Sequence, residues 1–285
     1  GLGLLHSFGW TAPGLTVGQL GMISSWATDR PGGFSEPELV LLKELVAGLA
    51  LSIKAATSYG ITQGLLRTYL GADAADHVLS GEVRRGQVRQ MRAVLFFADL
   101  RGFTKIADEL GADNLVALLD DYLDCIGVPV HAGGGQVLKF MGDGLLAAFA
   151  VRPVGRAEVC SAALDAATET LALIEALNDR RRTQGQQTAG LDLSLHIGTV
   201  QYGNVGTAAR LDFTVIGPAV NEASRIEKLC EPLGQNLLVS QSFAEAATAS
   251  RSRLVSLGRH RLRGVREETE LFALGQVSDK AVCSA

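Results

Sequence analysis

The chain has 285 residues, of which 47% are hydrophobic and 20% charged, and this is the composition of a globular protein with a sizeable core. Its formal net charge of −4 excludes a general affinity for nucleic acid. The cysteines form no CxxC pair, which favours a reducing compartment over a disulfide framework or a zinc site; they are Cys125, Cys160, Cys230 and Cys283.

No secretory leader is visible, and no uninterrupted apolar run reaches the roughly 20 residues that a membrane-spanning helix needs. The longest candidate, residues 39–56, is interrupted by Lys43, Glu44 and Lys54. We therefore predict a cytoplasmic location and no membrane segment in this chain. Because the first residue is not Met, we also expect the natural gene product to extend upstream.

The N-terminal part of the chain changes character at Ser35. Residues 1–34 are rich in Gly, Trp and Phe without helical periodicity, which indicates short strands and turns. Ser35-Glu36-Pro37-Glu38 is a capping box, and apolar residues then recur at helical spacing as far as Ile53. Residues 1–56 resemble the last part of a GAF-like sensory domain. The alternative is a helical packing arm with no sensing role.

Residues 57–92 are predicted to be a helical linker that couples the N-terminal part to the remainder of the chain. Two short helical stretches, at 64–70 and 72–79, precede a polar and basic run from Gly81 to Gln90. The charges in this run are those of a solvated connector.

From Ala93 strands and helices alternate regularly. The predicted strands cover residues 94–98, a hairpin with the turn Gly142-Asp143-Gly144, and residues 191–198, 211–216, 236–240, 253–257 and 270–274. The helices between them are predicted at 105–110, 112–130, 156–181 and 218–229. This alternation predicts an α/β (α+β) domain at residues 93–275, followed by a tail at 276–285.

Two of these strands end at an aspartate. Taken alone, Asp143 would be an ordinary turn residue and Asp99 a helix N-cap. However, Asp99 is followed by Leu-Arg-Gly-Phe-Thr, and a strand, a glycine turn and a helix start present backbone N–H groups to phosphate oxygens. The two carboxylates therefore predict a pair of Mg²⁺ or Mn²⁺ ions held partly by a nucleotide.

The segment from Arg210 to Arg225 carries a second pattern. Pro218 suits the first turn of a helix, and Asn221 and Arg225 then lie four residues apart on one helical face. An amide and a guanidinium on one face can hold a ribose and a phosphate, although the same residues could also be an ordinary solvated face.

Three stretches together, FADLRGFT, LKFMGDGLLAAF and RLDFTVIGPAVNEASR, resemble the class III nucleotidyl cyclases in order and spacing. The resemblance covers residues 91–275. It implies a ferredoxin-like catalytic domain with a mostly antiparallel sheet flanked by helices. It also implies conversion of ATP into 3′,5′-cyclic AMP and pyrophosphate with two metal ions per site.

The resemblance assigns roles to individual residues. The metal site takes Asp99, Asp143 and Leu100. Lys139 and Thr214 read the adenine, because Lys donates to a purine acceptor and a Thr hydroxyl can accept from the amino group. Guanylate-specific members usually have Glu at the lysine position, so Lys139 favours ATP.

The remaining assignments concern the sugar and the phosphates. Asn221 resembles the ribose-orienting residue and Arg225 the residue that stabilises the transition state. Phe103, Thr104 and Arg263 are assigned to substrate binding. Arg263 replaces a family lysine, which keeps the charge but alters the geometry there. Pro218 stands where many members have Asp or Asn. It is not one of the six catalytic positions, which are Asp99, Asp143, Lys139, Thr214, Asn221 and Arg225.

Family homodimers share their active sites, which implies a head-to-tail homodimer here. One chain supplies the metal residues and the other supplies Lys139, Thr214, Asn221 and Arg225. Thr214 marks a bacterial subgroup shared with soluble bicarbonate-responsive cyclases, so we expect regulation by bicarbonate. A guanylate cyclase and a catalytically silent nucleotide-binding module are the alternatives.

Overall fold

The computed structural model describes residues 3–9, 21–151, 155–265 and 267–275, so the predicted tail at 276–285 lies outside the described residues. The chain divides into two compact units, residues 1–75 and 76–285. The strands are β1 (Gly3–Gly9), β2 (Gly21–Ala27), β3 (Val88–Arg101), β4 (Gln136–Met141), β5 (Gly144–Ala150), β6 (Gly190–Gly206), β7 (Leu211–Ile216), β8 (Leu237–Ser240), β9 (Leu254–His260) and β10 (Thr269–Leu274). The α-helices are α1 (Glu36–Leu70), α2 (Ala72–Leu79), α3 (Phe103–Glu109), α4 (Ala112–Ala132), α5 (Arg156–Thr183), α6 (Pro218–Glu227) and α7 (Gln241–Ala246).

The first unit contains the antiparallel pair β1–β2 and the helix α1. The predicted capping box is formed, since the Ser35 backbone N–H donates to Glu38 Oε2 at 2.7 Å. The helix is continuous over 35 residues, whereas the sequence pattern predicted a separate short stretch at 64–70. Its interior glycines each cost only about 1 kcal/mol relative to Ala and do not break it. It ends at Gly71, whose φ is +83°.

The second unit is built on an eight-stranded sheet with the order β4-β5-β3-β6-β8-β10-β9, to which β7 is added by pairing with β6. The β6–β8 pair is parallel, and the other pairs of this sheet are antiparallel. The prediction of a mixed α/β domain with a mostly antiparallel sheet flanked by helices is therefore confirmed.

Two apolar clusters cover opposite faces of this sheet. The larger one packs α3, α4, α5 and α7 on one face, with Phe96, Tyr122 and Phe243 among its fully buried members. The smaller one joins Ile226 of α6 to Leu238 on the other face. The strand β3 lies at the centre of the sheet, between β5 and β6, so its C-terminal end is held on both sides.

Among the described helices, none combines the length and the apolar character that crossing a membrane requires.

Candidate active site

The sheet brings Asp99 and Asp143 together. Asp99 lies near the end of β3, and Asp143 lies in the turn between β4 and β5, which pairs with β3 up to Ala98↔Leu145. Gly142 makes that turn with φ +71°. A Cβ on Gly144 would lie 2.5 Å from both Asp99 Oδ1 and the Ala98 carbonyl oxygen. Glycine is therefore required for the turn to approach Asp99 this closely.

The surroundings of the two aspartates carry an excess of negative charge. Burial, then the charges of Asp143 and Asp192, raise the pKa of Asp99 to about 6, against a smaller opposite effect of Lys228. Burial also raises the pKa of Asp143. Glu227, at the end of α6, has a pKa raised to about 7 by burial and by Asp99 and Asp192. Such a region favours a bound cation.

Asp192, a carboxylate near Asp99, is already paired with a cation. Asp192 is engaged by Arg101, whose Nε lies 3.3 Å from Asp192 Oδ2 and whose Nη2 contacts Asp192 Oδ1. The same guanidinium donates to the Gln235 carbonyl at 3.0 Å. Within residues 21–151, 155–265 and 267–275, no cluster of three or more His, Cys, Asp or Glu side chains has metal-binding geometry. Asp99 and Asp143 could therefore supply only part of a metal coordination shell.

The residues after Asp99 lead from the sheet into α3. Leu100 is buried, with 3% of its surface exposed, so only its backbone atoms could reach a ligand. Gly102, with φ +79°, makes the turn into the helix. Phe103 packs partly buried against the large apolar cluster, and Thr104 is exposed in the first helical turn.

Lys139 of β4 reaches the strand that carries Thr214. Its Nζ lies 3.1 Å from Oδ2 of Asp212 on β7, and both side chains are 48% exposed. Asp212 and Thr214 are two residues apart and therefore on the same face of β7. Thr214 is nearly buried, with 8% exposed. The structure thus brings the two residues assigned to the base to neighbouring positions of one chain, and it adds Asp212, to which the sequence motif gave no role.

The helix α6 presents Asn221 and Arg225 away from the sheet. Ala219, Ala223 and Ile226 form its buried face, whereas Asn221 is exposed and Arg225 half-buried. Arg225 Nη2 lies 3.6 Å from where a Cβ on Gly264 would be, so its guanidinium reaches the exposed turn that contains Arg263.

A family model described as the adenylate and guanylate cyclase catalytic domain matches residues 87–276. The chain is 35% identical over 161 residues to an adenylate cyclase of Anabaena cylindrica and 31% identical over 144 residues to adenylate cyclase 1 of Rhizobium meliloti (strain 1021). These alignments cover 55% and 50% of this chain but only 31% and 22% of the relatives. The chain therefore spans less than a third of the length of these two relatives.

Solved structures share the fold. The adenylyl cyclase CyaB from P. aeruginosa superposes with a TM-score of 0.58 at 25% identity, covering 66% of this chain and 96% of that chain. The guanylyl cyclase Cya2 superposes with a TM-score of 0.57 at 24% identity, covering 67% of this chain and 97% of that chain. The two similarities are almost equal, so they do not separate adenylate from guanylate specificity.

Proposed function

The chain belongs to the adenylate and guanylate cyclase catalytic domain family, and from this premise we propose that it is an adenylate cyclase of intracellular signalling, located in the cytoplasm. It converts ATP into 3′,5′-cyclic AMP and pyrophosphate. The observation that carries the proposal is the close approach of Asp99 and Asp143 at the end of the central strands. In the family this pair binds the metal ions on which cyclisation depends.

The residues present fit divalent cations. Two adjacent carboxylates in a region of raised carboxyl pKa gain from a bound positive charge, and oxygen ligands suit Mg²⁺ or Mn²⁺. Leu100 would add backbone atoms and the nucleotide phosphates would complete the coordination. Such ions would neutralise the triphosphate and lower the pKa of the ribose 3′-hydroxyl.

The other side chains bind and orient ATP. Lys139 donates to a purine ring nitrogen, and the Thr214 hydroxyl accepts from the adenine amino group. Asn221 orients the ribose. Arg225 donates to the α-phosphate as negative charge builds on it, and removal of such a donor costs about 10²–10³-fold in kcat. The backbone N–H groups of Phe103 and Thr104 at the start of α3, and the Arg263 guanidinium in the turn reached by Arg225, contact the phosphates.

Purified chain should form cyclic AMP and pyrophosphate from ATP with Mn²⁺ or Mg²⁺, and faster than it forms cyclic GMP from GTP. Both nucleotides are assayed under the same conditions, with and without bicarbonate, which we expect to stimulate. A preference for GTP would make the chain a guanylate cyclase. Nucleotide binding without pyrophosphate release from the dimer would make it a silent regulatory module.

We further propose that two chains form a head-to-tail homodimer in which each site combines Asp99 and Asp143 of one protomer with Lys139, Thr214, Asn221 and Arg225 of the other. Asp99→Ala and Arg225→Ala, each inactive alone, should therefore recover activity when mixed. With random pairing, half of the dimers contain one chain of each variant. Each of these mixed dimers has one intact site and one inactive site, so we expect about a quarter of wild-type activity. No recovery in a mixture shown to contain mixed dimers would rule out shared sites.

A further inference from the structure

The helix that carries Asn221 and Arg225 is attached to the sheet by its opposite face. At 3.6 residues per turn, Asn221 and Arg225 lie about 200° and 240° around the helix from Ala219, whereas Ala223 lies about 40° from it. Ala219 and Ala223 are buried, with 6% and 0% exposed. Any movement of the buried face therefore displaces the two polar side chains on the other face.

Gly198 on β6 determines how closely the first turn of α6 approaches the sheet. A Cβ on Gly198 would lie 2.4 Å from the Ala219 methyl group and 3.2 Å from His196 Nε2. Real Cβ contacts are not this short, so an alanine would move the helix outward or the strand inward. A cleft of about 670 Å³ lies beside the helix, lined in part by Gly198, Ala219 and Glu222, so a displaced helix would have room on that side.

Two further residues on the same face of β6 lie against the helix, and one of them is hydrogen-bonded to it. The Ser194 hydroxyl donates to the Ala223 carbonyl at 2.8 Å, and both residues are completely buried. His196 Nδ1 lies 3.0 Å from Ser240 Oγ, and its Nε2 lies 3.6 Å from Oε2 of Glu222 on α6. Alternate residues of one strand thus contact successive turns of the helix.

We propose that Ser194 and Gly198 are positioning residues of this enzyme: they set the height and rotation of α6 so that Asn221 and Arg225 meet the nucleotide. The proposal rests on the proposed function. It assigns the two residues no contact with substrate or metal ions. We therefore expect them to act through Asn221 and Arg225, the residues that α6 supplies to the active site.

The first test introduces and then removes the clash. Gly198→Ala should lower kcat for ATP about 10–100-fold, because a shift of about 1 Å at a reacting group can cost that much. Ala219→Gly in the same chain removes the opposing methyl group and should restore kcat to within about threefold of the Ala219→Gly single variant. Gly127→Ala, at a helical glycine with no atom within 4 Å of its added Cβ, is the matched control and should leave kcat unchanged.

The second test separates positioning from general destabilisation. Gly198→Ala chains keep Asp99 and Asp143, so mixing them with Asp99→Ala chains should restore activity. Mixing them with Arg225→Ala chains should restore none, because both chains then lack a competent α6. Ser194→Ala should behave in the same way, with a smaller drop of about 3–10-fold in kcat for the lost hydrogen bond.

Each outcome has one meaning. Recovery with Asp99→Ala together with rescue by Ala219→Gly supports positioning. Failure of Gly198→Ala to recover with Asp99→Ala, while the Asp99→Ala and Arg225→Ala mixture does recover, overturns the proposal and leaves the proposed function intact. Unchanged kcat in Gly198→Ala would also overturn it. If the Asp99→Ala and Arg225→Ala mixture itself stays inactive, the shared site is wrong instead.

Discussion

At the residue scale, Asp99 shows a conflict between stability and function. Its pKa is raised to about 6, above its ordinary value of 3.8, mainly by burial and then by Asp143. A carboxyl group whose pKa is higher in the folded chain than in the unfolded chain stabilises the fold while it is protonated. This stabilisation is complete below the unfolded-state pKa of about 4 and is lost as the pH rises through the folded-state pKa of about 6. The ionised aspartate that a metal ion needs is thus a local cost to folding at pH 7.

Asp99→Asn should therefore make the metal-free chain more stable at pH 7 while abolishing cyclase activity. We expect a gain on the order of 1 kcal/mol, reduced by partial solvent exposure, or about 2–4 °C in Tm. Thermal unfolding at pH 7 and pH 3.5 measures it, because the difference should vanish at the lower pH.

Added Mn²⁺ provides a second comparison on the same samples. A cation that binds only the folded state raises Tm, so Mn²⁺ should stabilise wild type and not Asp99→Asn. The control is Asp179→Asn, which alters an exposed carboxylate paired with Arg182. An equal Mn²⁺ response in Asp99→Asn and wild type would contradict the metal assignment.

Asp212 is predicted to orient Lys139 toward the base. An ion pair between two half-exposed side chains contributes only about 0–1 kcal/mol to stability, so Asp212→Asn should fold normally. We expect the KM for ATP to rise about 3–10-fold and the preference for ATP over GTP to fall, since one lost orienting contact costs about 1 kcal/mol.

Steady-state kinetics with both nucleotides measure this effect. Asp165→Asn, which breaks the exposed pair with Arg253, is the matched control and should change neither parameter. A lower KM for ATP in Asp212→Asn would mean that Asp212 competes with the base for Lys139 instead of orienting it.

At the element scale, the β4–β5 hairpin and the end of β3 act as one unit. The register Ala98↔Leu145 places the turn against Asp99, and Gly144 allows the two backbones to approach. The strand pattern alone predicts each element but not the distance between the two carboxylates, which depends on pairing across more than 40 residues of sequence.

Gly144→Ala should separate the hairpin from β3. The added Cβ would lie 2.5 Å from the Ala98 carbonyl oxygen, so we expect a loss of about 1–3 kcal/mol in unfolding free energy. Cyclase activity should fall, and raising the Mn²⁺ concentration should not restore it fully, because Asp143 moves with the turn. Urea denaturation and an Mn²⁺ titration of activity measure the two effects.

The control for this variant is Gly111→Ala. No atom lies within 4 Å of its added Cβ, and its φ of −68° suits any residue. Normal activity and stability in Gly144→Ala would show that the hairpin can adjust at no cost.

At the scale of the whole molecule, the proposed enzyme is complete only as a pair of chains. In the proposed head-to-tail dimer the metal residues and the residues on α6 would serve different sites, so a single chain would hold two half-sites. Assembly should therefore control the rate directly.

Specific activity should fall as the chain is diluted through the dissociation constant of the dimer. Below that concentration the rate should become second order in chain, with about a hundredfold loss of total rate for each tenfold dilution. Rates are compared with the dimer fraction from sedimentation at the same concentrations. Constant specific activity where the chain sediments as a monomer would rule out a shared site.

Local patterns in the sequence predicted most of the elements, whereas the resemblance of three motifs to the class III nucleotidyl cyclases assigned most of the candidate residues. The capping box at Ser35, the strands that lead to Asp99 and Asp143, and the helical spacing of Asn221 and Arg225 depend on neighbours a few residues apart. Period and capping chemistry are therefore sufficient to locate them.

Only the tertiary structure decided which distant residues meet. Lys139 and Asp212, Arg101 and Asp192, and Gly198 and Ala219 are pairs that no local period records, because sheet pairing and helix packing join residues far apart in sequence. The sequence by itself therefore determined the chemistry available to this protein. Packing determined which of those groups lie within reach of one another, because burial and close approach are properties of the folded sheet and its helices.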